Sequence, residues 1–108
     1  CQNILTAQPQ VDLFFSEADD MVIGCARAVR AAGSSARLIG VGGSRLAIAS
    51  IKAGAVDGTV CFKPEALGEL AFDALHRAAR GEERKDRFLT YPIPAVTRAN
   101  VDACVGQW

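Results

Sequence analysis

A short apolar run that breaks into an acidic turn and then into a helical pattern sets the architecture of this chain. It occupies residues 13–21, Leu-Phe-Phe-Ser-Glu-Ala-Asp-Asp-Met. With Val11, the residues Leu13, Phe14 and Phe15 form a run too continuous for a half-solvated antiparallel strand. It reads as a strand covered on both faces, as in a parallel sheet. Asp19 or Asp20 is placed to cap the following helix, offering a carboxylate to its first free N–H groups and to the positive end of its dipole. Turns at the carboxyl ends of parallel strands are where open α/β sheets bind ligands. Residues 16–19 are therefore the first edge of a candidate site.

The alternation continues along the chain. Met21, Cys25, Ala28, Val29 and Ala32 recur at helical spacing, and Gly33 stands at the expected stop. Residues 38–41 form a second buried strand ending at Gly42 and Gly43. Ser44 caps a helix that turns Ala47, Ile48 and Ile51 inward and ends at Gly54, and Asp57-Gly58 leads into a third strand at 59–62. Strict strand–helix alternation with helix-length crossovers predicts an α/β fold with a parallel sheet. Pro64 opens the longest helix, whose stripe of Leu67, Leu70, Ala71, Ala74, Leu75 and Ala78 runs to Gly81. Residues 82–87 are a charged connection, and Phe88 to Tyr91 restart an extended segment. Pro92 and Pro94 exclude a central strand there and leave an edge strand or a crossing segment. Thr97 is placed to cap a final short helix through Ala103.

At 108 residues the chain is the size of one domain. Twelve basic and twelve acidic residues cancel, so there is no electrostatic footprint for nucleic acid. No apolar run approaches the roughly 20 residues that span a bilayer. The chain opens without methionine, inside what reads as the last turns of a helix halted by Pro9, and the expectation is a fragment of something longer. A leading Cys also fits a processed lipoprotein, although no tethering linker follows it. The four cysteines, Cys1, Cys25, Cys61 and Cys104, lack paired C-x-x-C spacing, which argues against a metal site. Cys25 on an apolar helix face and Cys61 inside a strand read as buried free thiols, and Cys1 and Cys104 pair only if the two ends meet.

Three loops follow strand ends and share one rim: residues 16–19, 42–44 and 62–64. Ligand binding is the default expectation for that rim, although Asp19, Asp20 and Ser44 are equally explained as helix caps. The run Gly40-Val41-Gly42-Gly43-Ser44-Arg45 departs from the dinucleotide fingerprint at Arg45 and lacks the P-loop lysine, so no nucleotide cofactor is expected. His76, the one histidine, reads as a surface residue. No Ser/His/Asp set and no His-containing metal cluster can be assembled, which leaves catalysis without apparatus and the chain with no expected metal.

Eight segments in order, Gln2-Asn-Ile-Leu-Thr-Ala-Gln-Pro9, Asp12-Leu-Phe-Phe, Asp19-Asp-Met21, Ile39-Gly-Val-Gly-Gly43, Ile51-Lys-Ala-Gly54, Thr59-Val60, Pro64-Glu-Ala-Leu-Gly68 and Val96-Thr-Arg-Ala-Asn-Val-Asp102, resemble the C-terminal part of ribose-type periplasmic sugar-binding proteins. The last segment resembles the secreted binders more than the related repressors of the lactose-repressor type. The resemblance implies a non-catalytic, two-lobed protein that closes on a sugar or sugar-like molecule and delivers it to the membrane permease of an ABC importer. It implies a periplasmic or extracellular location, with a lipid anchor as an option. The alternatives are an effector-binding domain of a lactose-repressor-type regulator and an enzyme with a doubly wound domain.

Within that family, residues 1–63 and 87–108 are the expected ligand-binding lobe. Residues 64–86 are the expected hinge-crossing helix and connection, packing on the other lobe. The expected ligand-binding residues are Ser16, Glu17, Ala18, Asp19, Gly42, Gly43, Phe62 and Lys63. The family's sugar-binding Asn, Asp and Gln are replaced here by Ala18, Gly42 and Phe62, so ribose held by the same contacts is not expected and Phe62 offers a stacking face instead. The apolar stripe of the long helix, with Phe72 beside it, needs a cover: either the helix folds back onto this lobe's own sheet, or two copies of the fragment share it by exchange and form a homodimer, which is the favoured expectation.

Overall fold

The computed structural model describes residues 1–82 and 88–108. The expected connection at 82–87 therefore lies, but for Glu82, outside the described residues. The elements are α1 (Gln2–Ala7), β1 (Leu13–Phe15), α2 (Asp19–Ala31), β2 (Arg37–Gly42), α3 (Arg45–Lys52), β3 (Gly58–Cys61), α4 (Pro64–Ala79), β4 (Ala95–Thr97) and a final 3-10 turn at Val101–Ala103. The strands lie side by side in chain order. β1, β2 and β3 are parallel, with Phe14 opposite Leu38 and Gly40 opposite Thr59, whereas β4 runs antiparallel on the edge, with Val96 opposite Thr59. The chain is thus α/β, with Pro92 and Pro94 in the crossing segment that leads to an edge strand.

Because each parallel strand follows its neighbour in the same direction, right-handed crossovers put α2 and α3 on one face of the sheet. On that face Leu38, Cys61 and Val96 are buried against Val22, Cys25 and Val29 of α2 and Ile51 of α3. A methyl group on Gly40 would stand 2.9 Å from Val22 Cγ1, so helix and strand touch backbone to side chain there. The opposite face carries Leu13, Phe15, Ile39, Val41 and Val60, since side chains alternate along a strand. Leu13 and Phe15 are exposed and the other three only half-buried. The expectation that β1 is covered on both faces is therefore corrected: it is an edge strand with one open face.

Four further expectations change. In α2 the buried stripe is Asp19, Val22, Cys25 and Val29, while Met21 is exposed. The helix starts one residue earlier than its polar cap suggested, with Ala18 at the N-cap and no side-chain cap from Asp19 or Asp20. All four cysteines are paired, Cys1 to Cys25 and Cys61 to Cys104, so neither Cys25 nor Cys61 is a free thiol and Cys1 does not meet Cys104. The last helical turn starts after Asn100, whose side-chain oxygen accepts from the Thr97 N–H, so Thr97 does not cap it.

Several local readings match. Ser44 caps α3 by accepting from the Ala47 N–H at 3.1 Å. Gly33, at φ +62°, ends α2 while the Ser34 N–H bonds back to the Val29 carbonyl. Pro64 stands at the start of α4. α4 buries none of its residues, and Phe72 and Leu75 are each 72% exposed. His76 is on the surface, stacked on Phe72.

Candidate functional site

Backbone hydrogen bonds bring the three strand-end turns together. The Ser16 N–H donates to the Ile39 carbonyl, and the Phe62 N–H donates to the Gly42 carbonyl at 3.0 Å. Each turn is thereby tied to the strand beside it. Ser16, Glu17 and Ala18 lead from β1 into α2, Gly42 and Gly43 from β2 into α3, and Phe62 and Lys63 from β3 into α4. The structure thus gathers all eight expected residues on one rim, though not in equal roles.

Asp19 points inward. It is 4% exposed, and its two carboxylate oxygens accept from the Thr59 hydroxyl at 2.6 Å and from the Ser44 N–H at 2.8 Å. Thr59 in turn accepts from the Gly43 N–H. This chain of bonds, from the start of α2 through β3 to the start of α3, fixes the shape of the 42–44 turn. Gly42 and Gly43 both have positive φ, and a methyl group on Gly42 would stand 2.7 Å from Asp19 Oδ2. A side chain at position 42 would crowd Asp19 as it stands here, and without one the turn presents backbone rather than a polar group.

The remaining rim residues differ in exposure. Glu17 is exposed, while Ser16, Ala18, Phe62 and Lys63 are half-buried. The Ser16 hydroxyl is out of contact with solvent and has no hydrogen-bond partner among the described residues, and the same holds for the Tyr91 hydroxyl. An unmet buried hydroxyl costs about 1–3 kcal/mol, so these two groups are sites of unspent hydrogen-bonding capacity.

Two aromatic residues absent from the expected ligand-binding set join Phe62. Tyr91 meets it edge to face at a centroid distance of 6.1 Å, and Trp108 at 6.2 Å. Beside them Lys63, Ala66, Tyr91 and residues 92–94 line an open groove of about 480 Å³. The only early sign of Tyr91 was its place ahead of two prolines. Nothing local marks Trp108, which reaches the rim through a covalent link between positions 61 and 104.

A second groove, about 610 Å³, lies between α1 and the middle and end of α2, lined by Leu5, Thr6, Gly24, Arg27 and Ala28 among others. It is remote from the strand-end turns, which meet α2 at its first residue. Among the described residues no three His, Cys, Asp or Glu side chains cluster to hold a metal, and no helix is long and apolar enough to cross a membrane.

The model of the periplasmic binding protein domain matches residues 1–83. The chain belongs to that family. It is 32% identical over 82 residues to the ribose import binding protein of Bacillus subtilis, which covers 76% of this chain and 27% of the relative. An ABC-transporter solute-binding protein from Actinobacillus succinogenes with bound D-allose superposes with a TM-score of 0.81 at 27% identity, covering 94% of this chain and 36% of that one. The Caulobacter myo-inositol binding protein, bound to myo-inositol, gives 0.69 at 30% identity, with 95% and 36% covered. The chain spans well under half the length of each of these relatives. As a member of the periplasmic binding protein family, it has its strand-end turns where an open α/β sheet presents a ligand site.

Proposed function

We propose that this chain is most of one lobe of an extracytoplasmic solute-binding protein that takes a sugar or cyclitol into the cleft between two lobes and hands it to the permease of an ABC importer. The observation that carries the reading is the meeting of three strand-end turns on one rim of a periplasmic binding protein domain. The function is capture and release, without catalysis. Glu17 and Lys63 supply polar contacts, the backbone of Ala18 and Gly42 approaches the ligand closely, Phe62 offers it an apolar face, and Ser16 and Gly43 shape the turns beneath. Asp19 acts from behind by holding the turn.

Two disulfides support a periplasmic or extracellular location, because such bonds persist in oxidising compartments and are rare in the cytosol. They weigh equally against a cytoplasmic effector-binding domain of a transcription regulator. A lipid anchor on the full-length protein is compatible with this location. The unburied α4 suits the hinge-crossing role, in which residues 64–86 leave the lobe formed by 1–63 and 87–108 and pack on the other one. Pairing of two copies through the same stripe is the outcome for the isolated chain.

Titration calorimetry of the full-length protein with D-ribose, D-allose and myo-inositol tests the reading. Saturable one-to-one binding of at least one of them is expected. Absence of binding to all three, with the protein folded, contradicts it.

A further inference from the structure

The segment 104–108 is fastened to the rim at four points. Cys104 is bonded to Cys61 at the end of β3. The Gln107 side chain accepts from the Glu65 N–H at 3.1 Å and donates to the Glu65 carboxylate at 2.9 Å. The Trp108 carbonyl accepts from the Arg45 N–H at 2.8 Å, and Gly106 lies so close to Arg45 that a methyl group there would be 2.7 Å from its backbone nitrogen. The segment thus bridges the first turns of α3 and α4, the two helices that begin at the rim.

Its last residue lands on the site. Trp108 Cζ2 is 3.4 Å from where a Cβ on Gly42 would stand, and the indole meets Phe62 at an interplanar angle of 72°. Trp108 remains 47% exposed, although its carbonyl and the residues before it are tied down. A large aromatic surface brought to the rim by a fastened segment, and left half-open beside Gly42 and Gly43, is arranged to receive something flat and partly apolar.

We propose that Trp108 is a ligand-contacting, specificity-determining residue, presented to the rim by the Cys61–Cys104 disulfide and packing with Phe62 against the C–H face of a ring-shaped polyol. The inference rests on the sugar-binding reading above and adds to it the wall that replaces the missing polar side chains. A ring with a continuous C–H face fits such a wall, while an open-chain polyol gains little from it. Cys61 and Cys104 are positioning residues. The Cys1–Cys25 bond fastens α1 to α2 and does not touch the segment.

The test is calorimetry on the full-length protein with D-ribose, D-allose and myo-inositol, comparing the wild type with four variants whose thermal unfolding is recorded alongside. For the sugar that binds the wild type, Trp108→Ala is expected to raise Kd about tenfold, or about 1.4 kcal/mol, with Trp108→Phe recovering most of the loss. The Cys61→Ser/Cys104→Ser pair is expected to weaken binding and to change the ranking among the three sugars, which a loss of stability alone would not do. The Cys1→Ser/Cys25→Ser pair is expected to lower the unfolding midpoint with Kd unchanged. Wild-type binding that is unchanged in Trp108→Ala overturns the inference and leaves the sugar-binding reading standing. Failure of the folded wild type to bind any of the three overturns both.

Discussion

The carboxylate of Asp19 shows how a residue type can be noticed and its partner missed. Cap logic is local: an Asp ahead of an apolar periodic run offers its oxygens to the next N–H groups. Here the oxygens go to Thr59, 40 residues on, and to the Ser44 N–H, 25 residues on. Ser44 does what local logic expects, because its acceptor role is completed within one helical turn. Two bonds to a buried carboxylate make Asp19 a stability determinant. Asp19→Ala strands both donors and is expected to cost about 2–5 kcal/mol by chemical denaturation, while Thr59→Val, which keeps the shape, costs about 1–3 kcal/mol. A loss of under half a kcal/mol in Asp19→Ala would mean that the network does not hold the turn.

Among the elements, those marked by punctuation were readable and those set by partners were not. Gly33 and Pro64 mark the end of α2 and the start of α4 where the chain bears them out. The α2 stripe was read one position off, at Met21 instead of Val22, because both are apolar and only contact with Gly40 of β2 decides which turns inward. β1 read as fully covered because its side chains are apolar, but apolarity says nothing about whether the covering layer lies in the same chain. The cysteine pairing was unreadable for the same reason, since Cys61 and Cys104 are brought together by the edge strand and the last turn. Closing loops of 24 and 43 residues, each disulfide is expected to stabilise by about 3–4 kcal/mol. Thermal unfolding of the full-length protein with and without a reductant checks this: reduction should lower the midpoint by several degrees, and an unchanged midpoint would refute the pairing.

At the scale of the whole molecule the α/β class, the order of the elements and the shared rim were legible, because strict strand–helix alternation admits few arrangements. The aromatic wall was not, since Phe62, Tyr91 and Trp108 are far apart in sequence and meet only once the chain is folded. The unburied α4 belongs to the proposal that a second lobe completes the protein across the rim. Hydrogen exchange on the full-length protein, read by mass spectrometry with and without the sugar that binds it, tests that account most directly. Slowed exchange is expected in peptides covering residues 16–18, 42–43, 62–63 and 105–108, with no change in the groove between α1 and α2. Protection confined to that groove, or none at the three turns under saturating sugar, would contradict it.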